Sequence, residues 1–187
     1  MRHSSIAARL PRAALVAAFA ALASVPAARA ARAQEGGIEV GAMAPRAAVF
    51  TLEGKAVDLG DYVGKTPVVL EFWATWCPLC KQLEPSMAEA RARFKGRARF
   101  VSVGVPNNQT PEKQQAFVTE KHLGGDFVFD RDSKAIQAFK VPHTSYVVVL
   151  DKAGKVVYTG VGGEQDVVAA VAKAFGSASG TSGGSRR

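Results

Sequence analysis

The stretch EFWATWCPLCKQLEP, Glu71–Pro85, holds both cysteines of the chain, Cys77 and Cys80, three positions apart. That spacing is open to half of a zinc site, a structural disulfide or an electron-passing dithiol. A structural zinc needs about four ligands. The chain offers only three histidines besides the cysteines. His3 falls in the N-terminal leader described below, and His122 and His143 lie at no paired metal-ligand spacing. A disulfide closing so small a loop removes little entropy from the unfolded chain, so a purely structural bond achieves little. Redox chemistry remains.

The residues around the pair suit that chemistry. PVVLEFW (Pro67–Trp73) is an apolar run broken by one acid, the pattern of a strand buried on both faces. Cys77 then opens a helix, with Pro78 at its first position, where a missing N–H costs nothing. Free N–H groups and the positive end of the helix dipole stabilise a thiolate there. Cys80, one turn on, is positioned to attack a mixed disulfide formed at Cys77. Trp73 reads as core filling, while Trp76, Pro78 and Leu79 make an apolar surround for incoming substrate. Glu71 is flanked by Leu70 and Phe72, so both faces of its strand are apolar. A carboxyl buried there has its pKa raised, which makes it a proton acceptor near neutral pH.

Outward from this stretch the segments alternate. AVFTLEGKAVDLGDYVGK (Ala48–Lys65) predicts two short strands around Glu53-Gly54. The cysteine helix continues toward Phe94 with a kink at Pro85, and RFVSVGV (Arg99–Val105) is a second buried strand. Thr110-Pro111-Glu112 starts a helix reaching about His122. Asp132–Lys140 is a further short helix, Ser145–Gly162 a hairpin turning at Lys152–Gly154, and Glu164–Phe175 a closing amphipathic helix. Hairpin, then β-α-β-α, then β-β-α implies an α/β fold with a central mixed sheet flanked by helices. There is no internal repeat and no second domain: residues 38–175 form the one folded unit.

The N-terminus reads as an export signal. Arg2, Arg9 and Arg12 precede an uninterrupted apolar run of 11 residues, Ala13–Ala23, and Ala28-Arg29-Ala30 offers small residues at a cleavage site. Eleven residues fall short of the roughly 20 that span a bilayer. The expectation is a signal peptide over residues 1–30, cleaved after Ala30 or Ala33, with a retained anchor as the other reading, then a spacer over 31–37. The tail, residues 176–187, has nothing to bury and is expected to be disordered. Without the leader the net charge falls from +8 to +4, 20 basic residues against 16 acids. The densest basic cluster, Arg91 to Arg99, sits at a helix end and reads as solvated surface, so no nucleic-acid partner is expected.

Glu71, Phe72, Trp73, Trp76, Cys77, Cys80, Lys81 and Pro85 together resemble the active-site segment of the thioredoxin superfamily. APRAAVFTLEGKAVDLGDYVGKTPVVLEFWATWC resembles more narrowly its exported TlpA-like and ResA-like members, which carry an N-terminal β-hairpin extension. The likeness runs over most of Gly41–Gly163. It implies a thioredoxin fold, thiol–disulfide exchange without a cofactor or metal, and action as a monomer on disulfide-bearing exported proteins, with a membrane thiol electron donor. It also implies a cis-proline facing the cysteines, for which Pro142 after Val141 is the candidate, with Val141 and His143 beside it in substrate binding. The pattern departs here. His143 stands where relatives carry threonine, and Ser145 occupies the spacing usually held by the proline.

Two other functions come into question. Soft thiolates with a nearby imidazole suit copper, so Cys77, Cys80 and His143 could serve a copper-binding chaperone. A peroxidase would need a lone peroxidatic cysteine with threonine in a Pro-x-x-x-Thr frame, and Thr75 has no such proline.

Overall fold

The computed structural model describes residues 36–176. The expected leader, nearly all of the spacer, and the tail beyond Gly176 lie outside the described residues. Among the described residues no helix is long and apolar enough to cross a membrane.

The buried run after Pro67 forms β3, Val68–Trp73, with all six residues buried. It lies between β4, Arg99–Gly104, which runs parallel to it, and β6, Tyr146–Leu150, which runs antiparallel. Helix α1, Pro78–Arg93, connects β3 to β4 and continues through Pro85. Strands β1, Ala48–Thr51, and β2, Ala56–Asp58, form the first hairpin, with Gly54 at a φ of 89° in its turn. β7, Val156–Val161, completes the second.

One strand is not foreseen by the sequence reading. Asp126–Phe129 forms β5, parallel to β4 and antiparallel to β1. Four residues after Gly124-Gly125 carry too little alternation to announce a strand. Yet β5 joins the hairpin to the core, giving one seven-stranded sheet in the order β2-β1-β5-β4-β3-β6-β7.

Helices cover both faces. Val69, Val147 and Val149 pack with Leu83 and Met87 of α1 and with Val167 and Val171 of α4, Val167–Gly176. On the other face Leu70, Phe72 and Val148 pack with Ala135 of α3, Lys134–Ala138, and with Phe139. Side chains alternate along a strand, so Glu71 shares the α1 face with Val69. Helix ends follow local capping more closely than apolar period. α2, Pro111–Glu120, starts where Thr110 Oγ1 accepts the Lys113 N–H. The fully buried Asp130 accepts the Ala135 and Ile136 N–H groups at the start of α3. α4 begins after Asp166, which accepts from Ala169 N–H, and not at Glu164.

Candidate active site

Cys77 caps α1. It is the N-cap residue, in extended backbone geometry, and its Sγ accepts the Cys80 N–H at 3.1 Å. Pro78 occupies the first turn, where no N–H is missed. The protein is in its oxidised form: Cys77 and Cys80 are joined in a disulfide, with Cα atoms 5.3 Å apart. Helix geometry puts residues three apart on neighbouring positions of one turn, which is what brings the sulfurs together.

A reactive thiol at a helix N-terminus is expected to be partly exposed, which would make Cys77 the open member of the pair. In the oxidised form it is not: Cys77 is 2% exposed and Cys80 5%. The open surface belongs to Trp76, 43% exposed, and Leu79, 44%, with Pro78 also exposed between them. An apolar rim therefore surrounds a sunken disulfide.

The loop that carries Cys77 is held by a residue the sequence reading misses. Gln109, buried between β4 and α2, accepts the Thr75 N–H through Oε1 at 3.0 Å. Its Nε2 donates to Val105 O at 2.7 Å and to Trp73 O at 3.4 Å. The Trp76 ring is fixed from the same loop, its Nε1 donating to Asn107 O at 2.7 Å. A lone glutamine in a loop carries no sequence signal for this; only the parallel pairing of β3 and β4 brings the two loops together. Gln109→Leu strands the Thr75 N–H and the Val105 carbonyl, while Trp73 O keeps the Val105 N–H at 3.0 Å, so we expect a loss of about 2 kcal/mol in urea unfolding. A loss under about 0.5 kcal/mol would show that water takes over its bonds.

Glu71 is buried beside Ser102, its register partner on β4, whose Oγ donates to Glu71 Oε2 at 3.4 Å. Together with Cys80, Trp73, Glu84 and Arg91 they line a cavity of about 460 Å³ between the sheet and α1. Burial raises the Glu71 pKa most, and the Glu84 carboxylate adds to it. Arg91 and the Ser102 hydrogen bond pull the other way, leaving Glu71 pushed up to about 7. Trp73 closes one side against Phe117 and Phe127, at ring separations of 5.9 and 5.8 Å. Arg91 corrects one expectation: its side chain is only 14% exposed and it pairs with Glu84, so this member of the basic cluster is part of the cavity.

The Pro142 region departs from expectation. No cis peptide bond occurs among the described residues, so Val141–Pro142 is trans. Pro142 lies against the N-terminal segment, where a Cβ added at Gly36 would meet its side chain at 3.0 Å. Gly37 N–H donates to Lys140 O at 2.8 Å, and Ile38 N–H to Tyr146 Oη at 2.9 Å. The chain turns here at two left-handed residues, Lys140 at φ 51° and the fully buried Ser145 at φ 62°. Ser145 is pinned from both sides: its Oγ accepts the Gly162 N–H, and its carbonyl accepts Gln165 Nε2. Val141 is half-buried and His143 exposed, and neither lines the cavity. Among the described residues no three side chains of His, Cys, Asp or Glu gather to hold a metal ion, so the copper reading finds no support.

The Redoxin family model matches residues 39–175. Thiol-disulfide oxidoreductase ResA of Bacillus thuringiensis subsp. konkukian is 31% identical over 128 residues, covering 68% of this chain and 72% of that protein. Thioredoxin-like protein YneN of Bacillus subtilis is 33% identical over 123 residues, 65% of this chain and 71% of that one. Among solved structures, a putative thiol:disulfide interchange protein DsbE from Chlorobium tepidum superposes with a TM-score of 0.64 at 25% identity, covering 75% of this chain and 98% of its own. A disulfide at a helix N-cap, in this fold and with these relatives, leaves one assignment: the chain belongs to the Redoxin family, and it is a ResA-like thiol–disulfide oxidoreductase of the thioredoxin superfamily.

Proposed function

We propose that the protein is exported and that its Cys77–Cys80 dithiol reduces disulfides in partner proteins outside the cytoplasm. The observation that carries the exchange chemistry is Cys77 at the N-cap of α1 with Glu71 in the cavity that also reaches Cys80. The leader-like residues 1–30 support export.

In the reduced protein the Cys77 thiolate attacks one sulfur of the partner's disulfide, and the other sulfur leaves as a thiolate. Cys80 gives its proton to Glu71 and attacks Cys77 Sγ. The partner's second thiolate is released; the proton held by Glu71 and one from solvent convert the two thiolates to thiols, and the enzyme is left with its disulfide. Two electrons have passed to the partner, so a thiol donor, at the membrane in this reading, must restore the dithiol. Trp76, Pro78, Leu79, Val141 and His143 contact the partner, and Pro142 shapes the loop beside it.

Two variants test the assignment of roles. Cys80→Ser should accumulate a mixed disulfide with a disulfide-bearing protein substrate, visible on a non-reducing gel, whereas Cys77→Ser should form no adduct. In the reduced wild type, brief iodoacetamide labelling read by mass spectrometry should modify Cys77 first, because its thiolate is the one the helix terminus stabilises. Adducts formed through Cys80 instead would reverse the two roles. Export is tested by N-terminal sequencing of the extracytoplasmic protein, with a start at Ala31 or Gln34 expected.

A further inference from the structure

Glu84 and Arg91 are not needed by the exchange steps above, yet they occupy the cavity those steps use. Cys80, Glu84 and Arg91 follow one another at spacings of four and seven residues along α1, which returns them to one helix face. That face looks onto Glu71 across the cavity. The Arg91 side chain is 14% exposed and that of Glu84 31%, and the guanidinium donates to the Glu84 carboxylate. Arg91 also lies against the Gly124-Gly125 loop, which limits the room it has to swing away. Glu71 itself has one hydrogen bond to a side chain, the long one from Ser102. With so little local bonding, the charges across the cavity decide whether its carboxyl holds a proton.

We propose that Glu84 and Arg91 are positioning residues for thiol exchange: the pair fixes the charge that Glu71 faces while it exchanges a proton with Cys80. The inference rests on the role given to Glu71 under the proposed function. The groups facing Glu71 can be named element by element. β4 contributes Ser102 and β6 the uncharged Val147. α1 contributes Cys80, Lys81, Glu84 and Arg91, and Lys121 stands at the end of α2. Lys81 and Lys121 are exposed to solvent and screened. Glu84 and Arg91 are the partly buried charges, so they act on Glu71 most strongly. Glu84 disfavours ionisation of Glu71 and Arg91 favours it, the Glu84 effect being the larger of the two. Removing either member therefore unbalances the cavity, in opposite directions.

The test follows the Glu71 carboxyl by carbon NMR through a pH titration of the oxidised protein, which requires no turnover. Glu84→Gln leaves Arg91 uncompensated and should lower the Glu71 midpoint by on the order of half a pH unit or more. Arg91→Met frees the Glu84 charge and should raise it by a similar amount, while Arg91→Lys should return it toward the wild-type value. The pH profile of disulfide exchange should move with the midpoint. If Arg91→Met does not fold, Glu84→Gln and Arg91→Lys still decide the matter. Midpoints that stay put, or that move the same way in both charge-removing variants, overturn the proposal and leave the pair a structural tie. Exchange by the wild type with unmoved midpoints refutes the pair alone, whereas a wild type that exchanges no disulfide removes the functional reading and this role with it.

Discussion

Glu71→Gln is expected to make the protein more stable than wild type at pH 8, while making it a slower enzyme. The folded state holds the Glu71 pKa near 7 against 4.5 for the free side chain. Below about pH 4.5 the group is protonated folded and unfolded, and it contributes nothing to the pH dependence. Between 4.5 and 7 the folded protein binds the extra proton, so unfolding releases it and wild-type stability falls as pH rises. Above pH 7 the penalty for a buried carboxylate is fully present. A shift of that size corresponds to about 3 kcal/mol. Glutamine cannot ionise, so the variant's stability should lack this slope. The measurement is urea unfolding at pH 5 and pH 8: the variant-minus-wild-type difference should grow with pH by up to about 3 kcal/mol. Exchange near neutral pH should fall about 100-fold, the scale of a lost general base. Stability curves that run parallel from pH 5 to 8 would mean that Glu71 is not buried as a proton acceptor. A stability gain at pH 8 together with slowed exchange in Glu71→Gln would mark Glu71 as a residue kept for function.

The parts legible in the sequence are those whose causes are local. The Cys77-x-x-Cys80 spacing, Pro78 at the first helical position and Glu71 in an apolar strand lie within ten residues of chain, and each carries its own physical reason. The Asn107 and Gln109 contacts to the cysteine loop, and Glu84 and Arg91 across the cavity, depend on which strands become neighbours. The four-residue strand β5 depends on β1 and β4 arriving beside it. Arg91 reads as one more surface cation because helical period alone does not reveal what faces it across the sheet. Pro142 misleads for a different reason. It is the proline nearest the expected place, but Ser145 holds the spacing, and the trans Pro142 lies against Gly36 instead. Burial of Cys77 likewise comes from its bond to Cys80 and from its place within the core, among Trp73 and Ala74.

The reduction potential of the Cys77–Cys80 couple is expected at or below about −200 mV, that of a reductant. A disulfide becomes strongly oxidising when its reduced thiolate is held far below the usual thiol range, because that stabilises the reduced form. Such holding needs donors aimed at the nucleophilic sulfur. Here Cys77 Sγ accepts the Cys80 N–H at the helix terminus. Pro78 has no N–H, and the exposed Leu79 has an apolar side chain, so the dipeptide between the cysteines adds no side-chain donor. A charged Glu71 in the cavity reaching Cys80 opposes further negative charge nearby. The exposed His143 faces solvent, where its interactions are screened. Equilibration with glutathione buffers, read by alkylation and mass, gives the number. Leu79→His supplies the missing donor and should raise the potential by about 30 mV, equivalent to about 1.4 kcal/mol for two electrons. A wild-type value near −120 mV, the range of strong oxidants, would reverse the direction of electron flow proposed here. The cysteines, the fold and the exchange steps would stand, with the partner protein then receiving a disulfide rather than losing one.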